Sequence, residues 1–63
     1  MFTVVEIQNG VVGGNVWTYT SENEAFSKYF LVLSSAAVSA VAKHAAAILR
    51  EDGALVASQC FEH

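Results

Sequence analysis

Ser21 stands three residues before Glu24 and just ahead of a long apolar run, and this pairing fixes where the chain turns helical. In such a capping box the serine oxygen accepts a free backbone N–H, and the glutamate reaches back to the cap. Glu22 and Glu24 also lie at the positive end of the helix dipole, where carboxylates are favoured. Phe26, Tyr29, Phe30, Leu33 and Ala37 recur at helical spacing, so the sequence predicts a helix with these five on its buried stripe. The segments on either side read as strands.

Phe2 to Gln8 is β-branched and free of breakers; Thr3, Val5 and Ile7 share one face, and Phe2, Val4, Glu6 and Gln8 the other. Asn9-Gly10 and Gly13-Gly14 bracket Val11-Val12 as a turn or loose hairpin connection. A second strand then runs from Asn15 to Thr20, with Trp17 and Tyr19 on one face. Beyond Leu33 no glycine or proline stops the helix before Gly53. Either one helix continues to about Leu49, or it ends near Val38 and Lys43 to Arg50 forms a third strand. Glu51-Asp52-Gly53 reads as a tight turn between two runs of similar length, which favours the second alternative. Ala54 to Phe61 is then a fourth strand, with Leu55, Ala57 and Phe61 on one face and Val56, Ser58 and Cys60 on the other. The predicted fold is α+β: ββαββ, one antiparallel sheet with one helix on one face, in a single domain spanning 1–63.

Size makes self-association attractive. A domain of 63 residues buries only about 60% of its unfolded surface and needs further support from disulfides, metal or partner chains. With one cysteine, Cys60, no internal disulfide forms, and His44 and His63 add too few ligands for structural zinc. A hydrophobic fraction of 54% in so short a chain points to a homo-oligomer. By helical rotation Leu31 and Val38 fall among Ser27, Ser34 and Ser35, a shallow second face suited to another subunit. One helix covers only one face of four strands, so Phe2, Val4, Trp17 or Tyr19 would need a partner or a ligand.

A net charge of −3, with Lys28, Lys43 and Arg50 the only fixed cations, argues against binding a nucleic acid polymer. The start has no basic leader, so it does not read as a signal peptide. The longest nearly apolar run, Phe30 to Ala42, has 13 residues, against about 18 for a membrane span. A cytoplasmic protein is expected.

Candidate binding groups are few. Trp17 and Tyr19 could stack on a planar ring, although cross-strand packing is the commoner use of such a pair. Lys28, on the polar side of the helix, could contact phosphate. Tyr29 beside it could bridge core and pocket through its hydroxyl, and His44 sits near the junction of helix and third strand. Cys60 reads as a small buried hydrophobe, and Glu62 and His63 as a frayed end. With no Gly-rich phosphate loop, metal-spaced cluster or nucleophile elbow, the sequence offers no support for catalysis, cofactors or metal.

Several short motifs, spread over most of the chain, resemble small proteins encoded by phages and prophages of Firmicutes and related gut bacteria. They are Val5-Glu6-Ile7-Gln8, Asn23-Glu24-Ala25 leading to Lys28-Tyr29, Ala36-Ala37-Val38-Ser39, His44-x-Ala46 and the closing Phe61-Glu62-His63. Ala42 departs from that pattern, standing where a proline would end the helix region. By analogy in size and habit, the resemblance extends to viral sponge proteins of the Sequestin and Lockin type. It implies a small oligomer in the host cytoplasm that sequesters a nucleotide-derived immune signal without cleaving it. Trp17, Tyr19, Lys28, Tyr29 and His44 would then be the ligand-binding residues. The alternative is a phage interaction protein whose apolar faces bind a host or virion protein.

Overall fold

In the computed structural model, which describes residues 1–63, the elements run β1 (Phe2–Gln8), β2 (Val11–Tyr19), α1 (Glu22–Ala37), β3 (Lys43–Arg50) and β4 (Leu55–Glu62). This is the expected ββαββ order. All neighbouring strands are antiparallel, in the spatial order β2-β1-β3-β4, so the first strand of each hairpin lies at the centre. The helix covers one sheet face. Beneath it Val4, Ala46 and Ile48 meet Ala25, Tyr29, Val32 and Leu33 in a single core, with Phe2, Trp17, Tyr19 and Phe61 packed around it.

Local chemistry explains the boundaries. The first hairpin turns on Asn9 and Gly10 alone, with φ of 54° and 82°. Both residues are left-handed, as in the two-residue turn that asparagine–glycine favours. Strand β2 therefore starts at Val11, and Gly13-Gly14 lies inside it rather than in a connection. Val5 pairs with Val16 and Ile7 with Val12, so Gly13, Gly14 and Asn15 bulge opposite Glu6. Asn9 also closes the seam between β1 and β3: its N–H donates to the Lys43 carbonyl at 2.7 Å, and its Oδ1 accepts from the Lys43 N–H at 3.2 Å.

Ser21 caps α1, its Oγ accepting the Glu24 N–H at 3.5 Å. The helix ends at Ala37 without glycine or proline. Ser39 takes over locally, its Oγ accepting the Val41 N–H at 3.0 Å, a bond that competes with helix continuation. His63 reinforces this end. Its backbone N–H donates to Ala42, and its Nε2 donates to the Ala36 carbonyl at 2.9 Å, at the pole of the helix that attracts positive charge. This residue is tied down, not frayed.

Several expected faces are corrected. The buried stripe is Ala25, Tyr29, Val32, Leu33 and Ala36; Phe30 is 60% exposed and Ala37 lies on the surface. Leu31 and Val38 are exposed, as the rotation requires. Phe2, Val4, Trp17 and Tyr19 face the helix instead of needing an outside cover. In β4, Ile48 pairs with Ala57 but Leu49 with Leu55, leaving Val56 as an extra residue. That bulge resets the alternation, so Val56 joins the core and Leu55 faces the open side. Cys60, opposite Ala45, is exposed.

Candidate functional site: a groove between the second strand and the helix

The bulge in β2 does more than bend a strand. It turns the Asn15 amide onto Glu6, whose Oε1 accepts from Asn15 Nδ2 at 2.9 Å. The other Glu6 oxygen accepts from His44 Nε2 at 2.7 Å. Three strands thus meet through one carboxylate lying under the helix, its side chain only 14% exposed. The Asn15 amide, with the His44 ring second, holds the Glu6 carboxyl below its usual pKa, against the opposing effect of burial. Glu6 is ionised at neutral pH.

Glu6 and Asn15 form one wall of a groove of about 280 Å³ between β2 and α1. Trp17 comes from the same strand as Asn15, and Lys28, Leu31, Val32 and Ser35 from successive turns of the helix. Lys28 Nζ lies 4.3 Å from the centre of the Trp17 ring, a cation–π contact that orients both side chains. The groove therefore offers an aromatic face, a half-buried cation, a carboxylate, an amide, a hydroxyl and an apolar rim at Leu31. A planar ligand with an anionic group suits this set: Lys28 can swing from the ring to the anion and free the indole face for stacking.

The structure brings two of the five expected residues, Trp17 and Lys28, together in this groove. His44 reaches it only through Glu6. It is buried to 4% exposure, and its Nδ1 has no partner. Tyr19 packs beside the core. Tyr29 is buried in edge contact with Phe26, and burial pushes its hydroxyl pKa up. Glu6, Asn15 and Ser35 are groove residues that sequence reading did not single out. The available signal was Glu6 itself, a charged residue on the same strand face as the apolar Phe2 and Val4.

A second hollow of similar size, lined by Met1, Phe2, Arg50, Glu51 and Asp52, sets Arg50 and the Met1 ammonium against two acids, with the ammonium already 3.7 Å from Glu51 Oε1, so little positive charge is left for an anion. No three His, Cys, Asp or Glu side chains converge as a metal site would require. No helix is long and apolar enough to cross a membrane. No family model, curated protein or solved structure matches this chain.

Proposed function

We propose that this chain is a non-catalytic binding protein that takes up a small nucleotide-derived molecule in the groove between β2 and α1. The observation that carries the reading is the Trp17–Lys28 pair, an aromatic face and a cation 4.3 Å apart in a concave site. A nucleobase would stack on Trp17 and its phosphate would draw Lys28 off the ring. Glu6, Asn15 and Ser35 would then meet the sugar or base edge with one acceptor, one amide and one hydroxyl. On this reading the ligand is held and not cleaved, a role for which the groove needs no activated nucleophile. Sequestration of a nucleotide immune signal in a host cytoplasm, the role implied by resemblance to small phage proteins, fits such a site. One cation against one carboxylate favours a ligand of low charge.

Trp17 is the only tryptophan, so its fluorescence reports the groove directly. Titration with ADP-ribose derivatives and cyclic dinucleotides should quench it, and heat should release the ligand unchanged. Lys28→Ala should weaken binding by about 1.5–3 kcal/mol, and Trp17→Ala, followed by calorimetry, by about 1–3 kcal/mol. Absence of quenching across the panel, or equal affinity in all three proteins, would overturn the reading. A chemically altered product would show an enzyme instead.

A further inference from the structure

The sheet face away from the helix is built as an interior. On the two central strands it presents Thr3, Val5 and Ile7 from β1 and Ala45, Ala47 and Leu49 from β3. An antiparallel sheet with one wet face normally alternates apolar-in with polar-out. Here the alternation of β1 is inverted at its second half: Glu6 turns toward the helix, while Val5 and Ile7 face away from it. Ala45 to Leu49 is continuously apolar, the pattern of a strand covered on both faces. Three large exposed hydrophobics, Val12 (56%), Val16 (48%) and Leu55 (61%), extend the same face outward to the edge strands. Val5 and Ala47, at its centre, are already screened by their neighbours, so the uncovered apolar area lies mainly around them.

We infer that a second copy of this chain covers this face, giving a two-fold dimer in which two sheets pack back to back and the helices point outward. Charge selects a like partner. The chain carries a net −3, yet the only charges on this side are Lys43 and Glu62, paired across strands at one corner and opposite in sign. A neutral, self-complementary surface is where two such chains meet with least repulsion. Size agrees. Four strands about 4.8 Å apart place the outer strand axes roughly 14 Å from each other, within the 32 × 19 × 18 Å extents of the molecule. The molecule's outline of 32 by 19 Å sets a ceiling of about 600 Å² on the footprint per copy, so a dimer at the lower bound of specific interfaces, about 1,200 Å² in total, has to cover the whole face. The groove lies on the opposite side of the sheet, so the dimer does not depend on the ligand reading and would carry two complete grooves.

Sedimentation at about 100 µM should give twice the 6.7 kDa chain mass, with dissociation on dilution. Val16→Glu and Ser58→Lys each place a charge at a position exposed in the single chain, where it stays solvated and the fold is kept. Both should sediment as monomers with unchanged circular dichroism. Leu31→Glu, on the outer helix face, should remain dimeric. Cys60 gives a second readout, because the dimer covers it: its labelling by a thiol reagent should slow as parent concentration rises, and stay fast in Val16→Glu. A monomeric parent at about 100 µM would overturn the inference. So would a dimer broken by Leu31→Glu but by neither sheet-face variant.

Discussion

The two faces of this sheet blur the usual assignment of polar and apolar residues. The face under the helix holds Val4, Ala46 and Ile48, but also the ionised Glu6, the buried His44 and the amide that links Glu6 to β2. The uncovered face is threonine, valine, isoleucine, alanine and leucine through its centre. Burying a carboxylate is unfavourable unless its oxygens are satisfied, and on the covered face the three-strand network satisfies both oxygens of Glu6. The open face has no such requirement; it needs only to be covered. Specific bonding thus lies on one side of the sheet and generic apolar surface on the other.

Adjacent residues test this contrast most sharply. Ile48→Ala, on the covered face and fully buried, should lower stability by about 2–5 kcal/mol in urea unfolding of the dilute protein. Leu49→Ala, one residue on and facing the other way, should cost about 1 kcal/mol there. Its larger effect should appear in self-association. Equal losses for the two would break the comparison.

A smaller effect is expected at the polar network. Glu6→Ala leaves His44 Nε2 buried and unpartnered, and should cost about 1–3 kcal/mol by the same measurement. Smaller again is the acid dependence. Because the folded-state pKa of Glu6 lies below its unfolded value, the stability it contributes is complete above the unfolded pKa. That contribution is lost as pH falls through the folded pKa. Glu6→Gln should flatten the acid side of the stability profile, and an unchanged profile would show that the Asn15 and His44 bonds do not stabilise the ionised form.

What could be read from the sequence was local. The Ser21 cap, the Asn9-Gly10 turn and the Glu51-Asp52-Gly53 turn each act within four residues, and from them follow the element order and the bounds of β3. The rotation of α1 was harder. Tyr29 to Leu33 is aromatic or aliphatic throughout, so its period does not choose between a face centred on Phe30 and one centred on Val32. The sheet decides, because Val4, Ala46 and Ile48 meet the side carrying Tyr29, Val32 and Leu33.

The candidate site was harder still to read. Alternation places Glu6 on the correct strand face, but its partners lie 9 and 38 residues away, and the Asn15 contact depends on a bulge that no periodic pattern shows. Val56 defeats periodicity for the same reason, since one extra residue reverses the faces on either side of it. His63 looks free in the sequence because its partner, the Ala36 carbonyl, is 27 residues distant.

The strand order also has a kinetic consequence. Both hairpins and the helix are contiguous in the chain, so each can form early and alone. Among the strand pairings only the ladder from Gln8–His44 to Phe2–Arg50 joins the two hairpins, and it closes a loop holding all of β2 and α1. Closing that loop should set the folding rate, as non-local pairing generally does. In stopped-flow refolding, Ala47→Gly in the seam should slow folding, whereas Ser58→Gly on β4 should mainly speed unfolding. The reverse pattern would mean that the second hairpin, not the seam, is the barrier this small chain must cross.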